Sequence, residues 1–320
     1  MLKIRFIRSD DGKSPCFPSR SVFPKKTGQA FTLVELLVVI AIMSLLMAIL
    51  MPALGRARQA AYTSICLSNV RRITFAARFY VNEQIYFPPH RLKYLYPGGP
   101  DYVNNYGRVW PRWQWFFNQG IGPVIDPGPY VSGPGQKFTD KDTLLMTNER
   151  YMCPAFDHPL WNDHDIRNGS YGYNYQYLGN IQEFNNLYIN YPVKIDRIVT
   201  PGKTIIVADG RGSMYRDQNG QLLPHGEHSY KLDPPRLPRS LGARAFGDRK
   251  KPNLIEQHTP AEARHSGFVC VAFLDGHAEK MTREKMGYVV DYSKTEDGWI
   301  IANQGNNTLW TGREADEPPL

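Results

Sequence analysis

Residues 31–51 read FTLVELLVVIAIMSLLMAILM, and this stretch decides how the rest of the chain is organised. It holds one charged residue, Glu35, and residues 36–51 carry none. About 20 apolar residues in a helix are enough to cross the hydrocarbon core of a membrane. The stretch therefore predicts a membrane helix, whereas the surrounding chain, with a mean hydropathy of −0.44 overall, is too polar to enter a bilayer.

Three other interpretations of this stretch fit less well. A cleaved secretory signal is usually shorter and ends at a small-x-small site, but this run ends in Met51-Pro52-Ala53. A buried core helix would show polar residues at helical spacing, and residues 36–42 have none. A plain signal anchor fits the hydropathy but not Glu35, because a carboxylate near the start of a membrane helix is costly and usually has a partner.

The octapeptide GQAFTLVE at residues 28–35 resembles the cleavage and methylation motif of type IV prepilins, the family that includes the pseudopilins of type II secretion. In that family a prepilin peptidase cuts just before a phenylalanine, which is then N-methylated. The resemblance implies a cut between Ala30 and Phe31, although the family usually has glycine where this chain has Ala30. Glu35 then falls at the family's mature position five, and Pro52 at the position of its helix proline.

The resemblance also implies an organisation of the whole chain. Residues 1–30 would be a cytoplasmic leader and residues 31–83 the pilin helix, with 31–51 in the inner membrane and Pro52 as a kink point. Residues 84–302 would form a periplasmic globular domain. The polar sequence of residues 303–320 predicts a disordered tail.

The function implied by the resemblance is structural, and we expect neither enzymatic activity nor a cofactor. The expected partners are the prepilin peptidase, other pilin or pseudopilin subunits, an inner-membrane assembly platform with its secretion ATPase, and membrane lipid. The Phe31 amine of one subunit would neutralise Glu35 of a neighbour. The net charge of +8 comes from scattered basic residues without a nucleic-acid-binding motif, so we expect no nucleic acid partner.

The helix is expected to continue beyond the membrane. Apolar residues follow an approximate helical spacing after Pro52, and Pro88-Pro89 ends the pattern; the stripe consists of Ile65, Val70, Ile73, Ala77 and Tyr80. This stripe predicts that the second half of the helix packs against a sheet. The fold class is therefore α+β, with one long N-terminal helix on an antiparallel β-sheet with long loops.

Two β-rich runs end in an Asp-Gly turn signal. Residues 203–208 are followed by Asp209-Gly210, and residues 268–274 are followed by Asp275-Gly276. The second run predicts a hairpin in which residues 277–281 return. Such turns are the expected connections of an antiparallel sheet.

His265 precedes Asp275-Gly276 by nine intervening residues. This spacing resembles the His-x9-Asp-Gly C-terminal signature of large pseudopilin-like proteins of planctomycete-type bacteria. Asp209, His265, Asp275 and His277 are also residue types that bind metals, which would suit a membrane-anchored metal-dependent enzyme. No tight ligand spacing supports that alternative. We therefore expect no metal, with Asp275-Gly276 as a turn and His265 hydrogen-bonded across the hairpin base.

Aromatic residues are concentrated in one segment, where Trp110, Trp113 and Trp115 lie close together. Tryptophans on loops can stack on sugars, so the second alternative is a pilin-anchored adhesin that binds carbohydrate. The simpler interpretation is that these rings pack in a second small core.

The chain has four cysteines, Cys16, Cys66, Cys153 and Cys270, and none forms a Cys-x-x-Cys pair. Cys270 lies in an apolar strand-like run, which indicates a buried thiol. A disulfide between Cys66 and Cys153 is one expectation for a domain outside the cytoplasm. Three free buried cysteines are the other.

Overall fold

The computed structural model describes residues 32–89, 112–117, 149–156, 170–184, 187–212, 214–216, 222–224, 230–236, 259–293 and 299–316. The chain divides into two compact units, Met1–Pro52 and Ala53–Leu320. The leader and the residues on both sides of the predicted cut, Ala30 and Phe31, lie outside the described residues.

The longest element is the helix α1, Leu33–Gln84, which contains Pro52. It begins two residues after the predicted start and ends one residue after the predicted end. Among the described residues, α1 is the one helix long and apolar enough to cross a membrane. The predicted kink at Pro52 stays a prediction.

In the second unit, one face of α1 is buried in the protein core. The buried residues recur at helical spacing: Cys66, Asn69, Val70, Ile73, Thr74, Ala76, Ala77 and Val81. The predicted stripe is right at Val70, Ile73 and Ala77, but Ile65 is 48% exposed and does not belong to it. The polar members are tolerated because they are hydrogen-bonded: Thr74 donates to the Val70 carbonyl, 3.1 Å away.

The face of α1 packs on a four-stranded antiparallel sheet with the order β1-β4-β7-β8. The strands are β1, Tyr171–Tyr173; β4, Ile205–Asp209; β7, Val269–Phe273; and β8, Ala278–Met281. Cys270 of β7 lies opposite Lys280 of β8, which confirms the hairpin predicted around Asp275-Gly276. The helix and the sheet together confirm the α+β fold class.

The remaining strands form three separate antiparallel pairs. They are β2, Gly179–Phe184, with β3, Leu187–Pro192; β5, Met214–Arg216, with β6, Leu222–Pro224; and β9, Tyr288–Asp291, with β10, Trp299–Gly305. The short helix α2 spans Trp113–Phe116.

Strands β1, β4 and β7 of the central sheet are buried, whereas the edge strand β8 is partly exposed. Along β7, Cys270 and Ala272 join the core that contains α1, whereas Val269, Val271 and Phe273 join a second core. This alternation follows from the two-residue side-chain period of a strand. As a result, Cys270 of β7 and the residues beside it on β4 lie directly beneath α1.

The prediction of a disordered tail from Asn303 is wrong for residues 303–316. Strand β10 continues to Gly305, and Trp310 is fully buried in the second core. The backbone beyond it is also paired, since the Leu309 carbonyl accepts a hydrogen bond from the Ile205 amide at 2.8 Å. The prediction failed because it used polar composition, whereas this segment is ordered by one large aromatic residue and by backbone hydrogen bonds.

Candidate functional site

Helix α1 begins with two side chains that cap each other. The Glu35 carboxylate accepts hydrogen bonds from the Thr32 amide at 2.8 Å and the Thr32 hydroxyl at 2.7 Å. In return, the Glu35 amide donates to the Thr32 hydroxyl oxygen at 3.2 Å. This is a capping box, which satisfies amides that a helix start leaves unpaired. The spacing Thr-x-x-Glu indicates this capping box in the sequence. The interpretation of Glu35 as a charge partner alone did not include it.

The part of α1 in the first unit presents an apolar surface on all sides. Every residue from Thr32 to Pro52 is exposed, and the large side chains range from 45% exposed at Val39 to 79% at Leu33. Soluble proteins rarely leave a contiguous apolar surface of this length in water. The surface therefore requires lipid or neighbouring helices around it.

A second candidate site lies inside the second unit, where four chemically reactive side chains meet. They come from separate segments: Cys66 from α1, Cys153 from the chain after the turn Glu149–Tyr151, Asp209 from the end of β4, and His265 from the chain before β7. One ligand atom of each lies within 4.8 Å of those of the other three. None of the four residues is more than 4% exposed.

The four side chains contact one another in pairs. Cys66 Sγ donates to Asp209 Oδ1 at 3.1 Å, and Cys153 Sγ lies 3.3 Å from His265 Nε2. His265 Nε2 also lies 3.4 Å from Asp209 Oδ2. The Cys270 amide donates to this same Oδ2 at 2.7 Å, so the Asp209 carboxylate is held in a fixed orientation.

The other nitrogen of the imidazole has a different neighbour. His265 Nδ1 lies 3.3 Å from the hydroxyl oxygen of Thr63, and this hydroxyl already donates to the Gln59 carbonyl at 2.8 Å. Because the hydroxyl proton is used in that way, its oxygen accepts from Nδ1–H. In the neutral ring, Nε2 is thus the nitrogen without a proton, and it faces Cys153 and Asp209.

Burial changes the protonation chemistry of the cluster. It raises the pKa of the Cys66 and Cys153 thiols far above the usual value, so both are neutral in the absence of a cation. Burial alone would lower the pKa of His265, but the contact with Cys153 and the charge of Asp209 outweigh it and raise that pKa.

The arrangement does not suit nucleophilic catalysis. In a Cys-His-Asp triad the nucleophile and the carboxylate bind opposite nitrogens of the imidazole, whereas Cys153 and Asp209 both lie near the same atom, His265 Nε2. The buried cluster also offers no surface to a substrate. Two sulfurs, an imidazole and a carboxylate are, in contrast, zinc ligands.

Cys66, Cys153 and Cys270 are free and buried in this structure. The sulfurs of Cys66 and Cys153 lie within 4.8 Å of each other, so the predicted pairing of these two cysteines stays a prediction. Their proximity to Asp209 and His265 could not be predicted, because 143 positions separate Cys66 from Asp209 and 112 separate Cys153 from His265.

Residues 25–51 match the prokaryotic N-terminal methylation motif. The match covers the predicted cut, the capping box and the apolar half of α1, and it supports a type IV pilin-like protein that is processed by a prepilin peptidase and anchored in a membrane. No curated protein matches the chain, and no solved structure does.

Downstream of the methylation motif, the structure separates the residues of the His-x9-Asp-Gly signature. His265 lies in the buried cluster, whereas Asp275 follows β7 and binds the His277 amide and Nδ1 at 3.0 and 2.6 Å. Gly276 has a φ of +103°, as the predicted turn requires. The His265 backbone pairs with Phe268 just before β7, and its side chain enters the cluster, so the expected hydrogen bond of His265 across the hairpin base is not formed.

Trp113 is a core residue rather than a surface platform. It is fully buried, and its Nε1–H donates to the Tyr230 carbonyl at 2.7 Å. Its ring packs against Tyr173 of the central sheet, with the centroids 5.7 Å apart, so it belongs to the main core and not to a separate small one. Trp113 therefore cannot stack on a sugar, while Trp110 and the Trp115 side chain lie outside the described residues.

Proposed function

We propose that this protein is a non-enzymatic structural subunit of a pilus-like filament, either a pseudopilus of type II secretion or a type IV pilus-like fibre. One observation carries the proposal. The matched motif at residues 25–51 coincides with a capped helix whose apolar side chains are exposed on every side. Such a helix can lie in a bilayer before assembly and then pack against the identical helices of other subunits.

The match to the methylation motif supports a pilin-type assembly route as part of this proposal. A prepilin peptidase would cut between Ala30 and Phe31, leaving residues 1–30 in the cytoplasm and the domain that begins at residue 84 in the periplasm. An inner-membrane platform and a secretion ATPase would then extract the subunit from lipid into the filament. The outer part of the protein would provide contacts between subunits or with the transported cargo.

The first prediction concerns processing. Mass spectrometry of the N-terminal peptide, from protein purified out of native membranes, should show a chain that starts at N-methylated Phe31. An Ala30→Leu variant serves as the control and should accumulate the uncut precursor, because the larger side chain replaces the small residue before the cut. An intact Met1 start in the wild type would contradict the proposed function.

Glu35 supports the proposal through its charge as well as its capping role. A carboxylate within a membrane helix is costly and usually has a partner. The two hydrogen bonds that Thr32 donates give one oxygen of the Glu35 carboxylate its partners, but they do not neutralise the negative charge of that carboxylate. The Phe31 amine of an adjacent subunit would neutralise that charge, which gives each incoming helix a defined register.

The second prediction separates these two roles of Glu35. A Glu35→Gln variant retains the capping box, since glutamine caps as glutamate does, but loses the charge. We expect it to be processed normally and to assemble at least about tenfold fewer filaments, because each incoming helix loses its charge partner. Filament yield in a sheared-cell fraction and precursor cleavage are measured together.

A Thr32→Val variant is the matched control, because it weakens the cap and keeps the charge. Its assembly should stay close to that of the wild type. Normal assembly of Glu35→Gln with defective assembly of Thr32→Val would show that capping, and not charge, is what the filament requires.

A further inference from the structure

We propose that Cys66, Cys153, Asp209 and His265 bind one zinc ion in a closed structural site. Structural zinc sites have four protein ligands in a tetrahedron, drawn from cysteine, histidine and carboxylate side chains. This cluster supplies four such ligands, and all are buried. It leaves no position for a water or substrate, which distinguishes it from a catalytic zinc site.

The separations between the ligand atoms fit this assignment. Zinc binds sulfur at about 2.3 Å and nitrogen or oxygen at about 2.0 Å, so a tetrahedron places sulfur about 3.5 Å from nitrogen or oxygen, and nitrogen about 3.3 Å from oxygen. The Cys153 sulfur lies 3.3 Å from His265 Nε2, and the Cys66 sulfur lies 3.1 Å from Asp209 Oδ1. His265 Nε2 lies 3.4 Å from Asp209 Oδ2. The contacts of Cys66 and His265 end on different oxygens of Asp209, so the carboxylate would have to turn to bind through one of them, and one ligand atom of each of the four residues lies within 4.8 Å of the others.

A supporting shell already holds the ligands in place. Metal-binding histidines usually donate their second N–H to a fixed acceptor, and the Thr63 hydroxyl accepts from His265 Nδ1 here. The Cys270 amide holds one oxygen of Asp209, and the Tyr171 hydroxyl donates to the Cys66 sulfur at 3.4 Å. A donor aimed at a sulfur stabilises the thiolate form that binds zinc.

A disulfide between Cys66 and Cys153 accounts for less of this arrangement. A disulfide draws its sulfurs to about 2.05 Å and uses both of them. Asp209 Oδ1 and His265 Nε2 would then lose the sulfur partners that they now have. A zinc ion gives all four side chains a partner at once.

Binding of the ion releases the thiol protons of Cys66 and Cys153, together with a proton from His265 Nε2 wherever that ring is charged. The two thiolates and the Asp209 carboxylate carry three negative charges against the two positive charges of the ion. Arg264, whose side chain is 6% exposed, acts on Cys153 and lowers the excess, although its guanidinium also pairs with Glu262 at 2.7 Å.

The site would fasten α1 to the sheet. Its ligands join the helix to β4, to the chain before β7, and to the segment around Cys153, across sequence separations of 143 and 112 residues. Metal bound only by the folded state adds directly to the free energy of unfolding. In a filament subunit, this fastening would resist separation of the helix from its globular part.

The test is the metal content of full-length protein, purified in detergent without chelator and measured by elemental mass spectrometry. We expect about one zinc per chain in the wild type and a fall of about tenfold or more in Cys153→Ser. His277→Gln is the control, because His277 pairs with Asp275 in an exposed turn and is not one of the four ligands, so this variant should keep its zinc.

A measurement on the wild type alone covers the case in which Cys153→Ser does not fold. Chelation should lower the melting temperature and added zinc should restore it, and Co²⁺ in its place should give thiolate-to-metal charge-transfer absorption. The proposal is overturned if the wild type contains no zinc and added zinc leaves its melting temperature unchanged. It is equally overturned if non-reducing digestion yields a peptide cross-linked between Cys66 and Cys153.

Discussion

Replacing Gly287 by alanine should destabilise the second unit by about 4 kcal/mol, from backbone strain and overpacking together. Gly287 precedes β9 and has a φ of +98°, a conformation that costs an L-residue free energy. A Cβ at this position would also lie 1.9 Å from the Asn306 carbonyl oxygen. That carbonyl belongs to the backbone, which cannot move aside as a flexible side chain would.

Gly267→Ala is the matched control for this prediction. Gly267 has a similar φ of +84°, but a Cβ there would meet nothing within 4 Å. It should therefore show the conformational cost alone, about 1–2 kcal/mol. Urea unfolding of the full chain in detergent, followed by near-UV circular dichroism, measures both variants. Equal losses of stability would show that the close approach of Gly287 to Asn306 does not exist in solution.

The sequence predicts features that depend on neighbouring residues. The membrane helix follows from a continuous apolar run at 31–51, and the β7–β8 hairpin follows from Asp275-Gly276 between two strand-like segments. Each signal is contained within about 20 residues. Local conformational preference and hydropathy are sufficient to interpret it.

The buried face of α1 was only partly predictable, because burial on a helix is decided by its tertiary partners. Apolarity alone favoured Ile65, which is exposed, over Asn69, which is buried. Asn69 is accepted in the core because its amide donates to the Met152 carbonyl at 2.9 Å. Hydrogen bonds to distant residues leave no pattern in a single sequence.

The buried cluster was not predictable for the same reason. From the sequence, Asp209 and Asp275 looked equivalent, since each follows a strand and precedes a glycine. The structure places Asp275 in an exposed turn and Asp209 beneath α1, where it meets Cys66 and His265. Only the order of the strands and the position of the helix distinguish the two carboxylates.

Replacing Trp310 by alanine should lower the stability of the second unit by about 3–5 kcal/mol, the usual cost of removing a buried tryptophan. Trp310 is fully buried and packs edge-to-face on Tyr288, with the ring centroids 5.7 Å apart. Its Nε1–H donates to the Met286 carbonyl at 2.8 Å. At about 2–4 °C per kcal/mol for a domain of this size, the melting temperature should fall by about 10 °C.

The Trp310→Phe variant separates the contribution of the aromatic ring to stability from that of its hydrogen bond. Phenylalanine keeps much of the apolar contact with Tyr288 but leaves the Met286 carbonyl without its donor, which should cost about 1–3 kcal/mol. Thermal unfolding of the full chain in detergent should therefore rank the wild type above Trp310→Phe, and Trp310→Ala last. A loss below about 1 kcal/mol in Trp310→Ala would place this segment outside the core, as the polar composition of residues 303–320 first suggested. A large loss shows instead that the Trp310 side chain fastens the segment around it to β9 and the central sheet.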